Sequence, residues 1–534
     1  MKNRLLKILL LLLCAVPLVA ATVESHPWGN WLKWGDQGDG TYLNPVVPSD
    51  YSDVDCIRVG GDYYAISSTF QFSPGMVILH STDLVNWTIL GHAIADLNQI
   101  GPDLDWSKMN RYGKGVWAGS IRYHDQKFWI YFGTANEGYF MTTATNPAGP
   151  WEPLHPVLKA AGWDDCCPFW DDNGQGYLVG SKFSDGYKIH LFKLTADGRD
   201  LVEGYDEVIH QSRGSEANKL YKFNGFYYHL FSEVKSEGRV VMMERAKNIA
   251  GPYTEVRQLN HGDKAAMEPN QGGIVQTEKG EWYFFTHHGT GAWEGRCLSL
   301  LPVTWTDGWP IIGQAGADGI GSMVWAGPKP VANTKIVTPQ TDDEFEETTL
   351  PPQWEWNYQP RAEKWSLTER PGYLRLHAFK PLRADDLLAA GNTLTQRVMR
   401  TTNNVVTVAL DLSGMADGQV AGLCHFSKDD STLGVRQTGD QLALEFSHAK
   451  KITPGPAVTV KKIWLRSTWG LDGKSQYFYS MDGETFKPFG ESYQLAWGNY
   501  RGDRVGIYSY NDKGEAGYVD VDWFHYAYAG PGKG

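Results

Sequence analysis

The sequence predicts an all-β protein, a five-bladed β-propeller followed by a β-sandwich. Three observations carry this. A block of strand, turn and strongly aromatic strand recurs five times along residues 44–313. After Asp342 the pattern changes to short alternating strands separated by turn signals. The composition pairs 22 Trp, 27 Tyr and 21 Phe with 59 Gly, which suits tight turns and flat apolar strand faces. At 42% apolar and 21% charged residues, the chain falls in the folded globular class rather than the disordered one. Its net charge of −12, from 49 basic and 61 acidic residues, argues against nucleic-acid or anionic-membrane partners, which require a basic face.

The N-terminus reads as a targeting segment over residues 1–21. Lys2, Arg4 and Lys7 precede the apolar run Ile8–Leu13, and Val19-Ala20-Ala21 offers a small-residue cleavage site. Leu13 before Cys14 is too bulky for a lipidation signal. No other stretch reaches the roughly 18 apolar residues of a membrane span. The mature chain is therefore expected to be soluble and exported, to the periplasm or beyond the cell. It keeps Cys56, Cys166, Cys167, Cys297 and Cys424, an odd number without zinc-ligand spacing. The vicinal pair Cys166-Cys167 fits either two buried thiols or a strained disulfide.

The propeller is expected over residues 22–326. Its aromatic strands begin at Gly61-Asp62-Tyr63-Tyr64, Gln126-Lys127-Phe128-Trp129, Gly174-Gln175-Gly176-Tyr177, Gly225-Phe226-Tyr227-Tyr228 and Gly280-Glu281-Trp282-Tyr283. Turn signatures such as Ser81–Trp87, Asn146–Trp151 and Asn248–Tyr253 follow most copies. A period of roughly 50 to 65 residues with β-type turns in each unit marks propeller blades, and no unit shows helical periodicity. Trp28, Trp31 and Trp34 precede the first blade and are expected to staple the N-terminus to the outside.

In a propeller the first strand of each blade lines the axis, so matching positions converge at one end. Asp53 stands eight residues before Gly61, Asp165 eight before Asn173 and Glu216 eight before Asn224. The matching positions in the other blades are Trp117 and the neighbourhood of Gln271. Three carboxylates should therefore face one another beside an aromatic wall. Such a cluster can hold a hard cation, be neutralised by arginine, or perform acid–base chemistry through mutually raised pKa values. Strand alternation should turn the adjacent acids Asp55 and Asp164 away from it. Trp117 and Phe70 are candidates for stacking on a sugar, against the alternative that each is core.

The motifs at these positions resemble glycoside hydrolase family 43. They are Asn44–Pro48 through Tyr51-Ser52-Asp53, Ser68-Thr69-Phe70, His80–Trp87, Gly115–Ala118, Trp163-Asp164-Asp165 with Pro168–Asp172, Gly214–Lys222, and Gly295-Arg296 to Trp305. The resemblance implies an inverting glycosidase in which Asp53 is the general base, Asp165 orients the acid and raises its pKa, and Glu216 is the general acid. It also implies that Arg296 reaches into the sugar pocket and that His287 or His288 stands near the axis, which makes Arg296, His287 and His288 candidates for substrate binding. Val54 and Cys166 replace prolines usual after the first two acids, which alters the backbone beside both.

Residues 327–341 read as a linker and 342–534 as a sandwich. Its strands include Val405–Leu410, Leu442–Phe446, Ile463–Arg466, Gln476–Ser480, Val505–Tyr508 and Val519–Phe524. It resembles the concanavalin-like (jelly-roll) C-terminal domain of some family members, which implies a brace for the propeller or a lender of a rim loop. An independent sugar-binding role is the alternative. The expected activity is exo-hydrolysis releasing terminal α-L-arabinofuranose, or β-D-xylose, from plant cell-wall polysaccharide or oligosaccharides. β-Xylosidase proper, endo-arabinanase and a non-catalytic sugar-binding propeller are the alternatives. A fructosyl hydrolase should show an Arg-Asp-Pro motif, which is absent. No cofactor is required; a structural calcium ion in the axis or the sandwich is left open.

Overall fold

The computed structural model describes residues 32–262, 269–289, 291–332 and 334–533. The targeting segment with Cys14, and Trp28 and Trp31, lie outside these residues. Four antiparallel four-stranded sheets and one five-stranded sheet follow one another as five blades. Their innermost strands are Asp55–Val59, Gly119–His124, Asp164–Trp170, Glu216–Phe223 and Gly272–Gln276. The glycine at the turn before four of the five aromatic strands is explained by that turn. In the fourth blade Phe223 pairs with Phe226 across Asn224 and Gly225, whose φ values of 50° and 73° are those of a tight hairpin turn. The ring closes in the fifth blade, where the early strand Val47–Asp50 pairs with Cys297–Thr306.

The second unit is a sandwich of two sheets, each of eight strands. Lys462–Trp469 alternates strictly between partly exposed and buried residues, as a strand with one face on the core must. One sheet does not end in the sandwich. Glu355–Asn357 pairs at its edge with Phe72–Ser73 of the first blade, so a propeller segment serves as the sheet's last strand. Trp34 corrects an expectation here: it is 2% exposed in the sandwich core, and its indole N–H donates to the Ala529 carbonyl. Trp34 is thus stapled near the C-terminal end of the sandwich rather than to the outside of a blade.

Charge locks the two units together. Glu355 is completely buried; Oε1 accepts from Arg397 at 2.8 Å and meets His92 of the first blade at 3.0 Å, while Oε2 pairs with Arg504 at 2.8 Å. Arg397 also donates Nε–H to the Asp50 carbonyl at 2.7 Å. The segment leading into Asp53 is therefore held from the sandwich side.

Candidate active site

A cavity of about 390 Å³ opens at one end of the propeller axis. Asp53, Asp165 and Glu216 line it, with Phe70, Trp117 and Arg296. Asp53 and Asp165 adopt left-handed backbone conformations, with φ of 57° and 38°, that side chains bearing a Cβ rarely take. In the fourth blade the left-handed residue is Ala217, with φ of 63°, one position after Glu216. The equal offset of the three acids thus conceals a difference. The hairpin of the third blade turns through residues 171–175, whereas that of the fourth uses only 224 and 225.

This register corrects the expectation for Asp164. Asp164 faces Ser181 and Glu216 faces Ser232, each just before a bulge in its strand. Asp164 is therefore the positional counterpart of Glu216. The bulge cancels simple alternation, and Asp164 lines the cavity instead of pointing away. Asp55 does turn outward, accepting from Ile121 N–H at 2.9 Å and Arg122 Nη1 at 2.7 Å.

The hydrogen bonds assign each acid a different environment. Asp53 Oδ2 accepts the Ser68 hydroxyl at 2.7 Å, and Oδ1 pairs with Arg296 Nη1 at 2.5 Å. Burial pushes the Asp53 carboxyl up, Arg296 opposes this, and the charge of Asp165 adds to it. Asp165 Oδ2 accepts the Ala217 N–H at 2.5 Å, and its carbonyl accepts Asn218 Nδ2 at 2.8 Å. Glu216 meets Arg239 Nη1 at 3.1 Å and keeps 25% of its side chain open to the cavity. Burial raises its pKa to about 7; Arg239 and Arg296 lower it, and the charges of Asp165 and Asp53 raise it. The site thus holds a carboxyl poised to keep a proton near neutrality beside one held more tightly to its arginine, at 2.5 Å against 3.1 Å. That pairing can deliver a proton and accept another.

The two histidines are placed differently from the expectation that they touch substrate. Neither is among the residues lining the cavity. His287 is 1% exposed behind Asp53, where its Nδ1 accepts the Asp53 N–H at 2.8 Å. His288, next along the strand, points to the opposite side, against the Ser299 hydroxyl and the Trp325 ring. Cys166 and Cys167 are both free buried thiols, and Cys167 Sγ accepts from Arg122 Nη2 at 2.9 Å.

Sequence reasoning missed Arg239 and Tyr500. Arg239 sits on the third strand of its blade and carries no local motif. Tyr500 comes from the sandwich, across the whole chain. Its carbonyl accepts the Ser52 hydroxyl at 3.0 Å, and its ring meets Trp117 edge-on at 6.4 Å between centroids. The sandwich therefore supplies part of the cavity wall as well as a brace. Among the described residues no three His, Cys, Asp or Glu side chains are arranged to hold a metal ion.

Residues 42–310 match the model of the glycosyl hydrolases family 43. The chain belongs to glycoside hydrolase family 43. Residues 342–527 match the beta xylosidase C-terminal concanavalin A-like domain, which accounts for the sandwich. This family 43 hydrolase is 35% identical to a beta-xylosidase of Formosa agariphila, over 93% of this chain and 92% of that one. It is 30% identical to a non-reducing end alpha-L-arabinofuranosidase of Bacteroides ovatus, over 65% of this chain and 67% of that one. Among solved structures, a family 43 protein of Bacillus licheniformis superposes with a TM-score of 0.78 at 26% identity, covering 91% of this chain and all of the other.

Proposed function

We propose that this family 43 hydrolase removes single terminal pentosyl units from xylan- or arabinan-type chains with inversion of configuration. The observation that carries it is the contrast between Glu216, proton-holding and open to the cavity, and Asp53, paired to Arg296 in the same cavity. Asp53, ionised, takes a proton from water as the water attacks the anomeric carbon. Glu216 delivers its proton to the departing glycosidic oxygen. Asp165 holds the Ala217 N–H and so fixes the backbone beside the acid. All of these roles are filled by side chains and water.

A cavity walled by Trp117, Phe70 and Tyr500 suits the end of a chain rather than its middle. β-D-Xylose is proposed as the first substrate, because the relative matching over nearly the whole chain is a beta-xylosidase. α-L-Arabinofuranose is the second reading, supported by the Bacteroides ovatus relative. Export through the N-terminal segment belongs to the same proposal, since such polysaccharide lies outside the cell.

Initial rates on 4-nitrophenyl β-D-xyloside and α-L-arabinofuranoside test the reading, with xylo-oligosaccharides and Glu216→Ala alongside. Release of single pentoses that collapses in the variant supports it. Release of internal fragments, or wild-type silence on all of these and on arabinan, would end it.

A further inference from the structure

Four carboxyl groups line the cavity, and the reaction just described uses three. Asp164 is left over, and its placement is fixed on several sides. Its carbonyl accepts the Tyr139 hydroxyl at 2.8 Å, and its Oδ1 accepts the Asp165 N–H at 2.8 Å. Gly133 of the neighbouring blade passes so near that a Cβ there would lie 3.3 Å from the Asp164 Cα. The Asp164 carboxyl also lies within hydrogen-bonding reach of the Asp165 side chain, and the residue lines the cavity.

Depth sorts the four acids. Asp53 and Asp165 are 8% and 4% exposed, whereas Glu216 and Asp164 are only half-buried. In the pentosidase reading the unit being cleaved sits over the deep pair, and Glu216 addresses the oxygen that links it to the next. Asp164 stands at the level of Glu216, on the matching register of the adjoining blade. It therefore faces what lies beyond that oxygen.

We propose that Asp164 recognises the leaving unit, its Oδ2 hydrogen-bonding a hydroxyl of the sugar that follows the scissile bond. This rests on the pentosidase reading above. Burial, followed by the charges of Asp165 and Glu216, pushes the Asp164 carboxyl well above its ordinary range. A carboxyl can serve such a hydrogen bond as acceptor or, when protonated, as O–H donor. A nitrophenyl leaving group has no hydroxyl for it to engage, and a xylose or arabinose unit does.

The test compares wild type, Asp164→Asn and Asp164→Ala on xylobiose and 4-nitrophenyl β-D-xyloside, or on arabinobiose and the aryl arabinofuranoside if the enzyme prefers that pentose. Asp164→Ala should lower kcat/KM on the disaccharide about ten-fold, the scale of one hydrogen bond, and move the aryl glycoside less than about three-fold. Asp164→Asn should keep most of the disaccharide activity, because the amide both accepts from Asp165 N–H and donates to the sugar. Equal losses on both substrates would show that Asp164 only shapes the site, and an unchanged disaccharide rate would show that it touches no leaving unit. Either overturns the inference while the pentosidase reading stands. Wild-type inactivity on both substrate classes would remove that reading and the inference with it.

Discussion

The Asp165 carboxylate accepts the backbone N–H of Ala217, the residue that follows the proton-holding Glu216. Ala217 is held left-handed at φ of 63°, a conformation a non-glycine residue keeps only when its surroundings enforce it. Asp165 thus acts on Glu216 twice, through the backbone and through its charge. Asp165→Asn keeps the shape but removes the charge. The pKa of Glu216 should fall, moving the basic limb of kcat/KM to lower pH, with a rate loss on the order of 10²-fold. A pH–rate profile of the variant checks this; an unshifted basic limb would contradict the coupling.

The wild-type profile should itself be a bell. Glu216 must be protonated, so activity is lost as pH rises through its raised value of about 7. Asp53 must be ionised, so activity is lost as pH falls through its own pKa. Because burial raises that value, the acidic limb should lie above the ordinary Asp value of roughly 3.9. Profiles of kcat/KM between pH 3 and 9 would show both limbs.

Tyr500 joins the cavity only because the sandwich is docked. Tyr500→Ala removes a ring that is 54% exposed at the rim and anchors nothing in the core. KM for oligosaccharides should rise about five- to ten-fold with little change in the thermal midpoint, a loss of the size expected for one aromatic contact. Steady-state kinetics alongside thermal unfolding separate these effects.

Glu355 is the corresponding test of the interface. Burial opposes its charge, but Arg397 and Arg504, helped by His92, outweigh this and hold the carboxyl well below the usual carboxylate range. Its stabilising contribution is therefore complete above the unfolded value of roughly 4.3 and is lost as pH falls toward the depressed folded one. Glu355→Ala leaves two buried arginines uncompensated and should cost about 3–5 kcal/mol. Denaturant unfolding at pH 7 and at pH 3 should show a smaller, but not abolished, difference between variant and wild type at the lower pH, because the folded carboxyl is still ionised there.

The propeller could be read from the sequence because its signal is local and repeated: a turn glycine, an aromatic strand and a buried aromatic after each turn. Trp87 illustrates it, fully buried and stacked on Phe285 of the blade that closes the ring. The three cavity acids could be placed by the same repeat. What the repeat could not supply was the detail of the strands at the axis. Bulges after Asp164 and Glu216 shift which side chain faces inward, and a bulge leaves no compositional trace. Tyr500, Arg397 and Glu355 were hidden for another reason. Their propeller partners His92, Asp50 and Ser52 lie hundreds of residues away in sequence, and nothing in their own neighbourhood distinguishes them from other sandwich residues.

The stereochemistry of the first-formed product tests the account most directly. Proton NMR in the first minutes of hydrolysis of an aryl β-D-xyloside, or of the α-L-arabinofuranoside if that is the better substrate, reads the anomeric signal before mutarotation mixes it. With Asp53 activating water opposite Glu216, the released sugar should carry the configuration opposite to that of the substrate. A first-formed sugar of retained configuration would mean that a carboxylate attacks the sugar itself, and would contradict the roles given to Asp53 and Glu216.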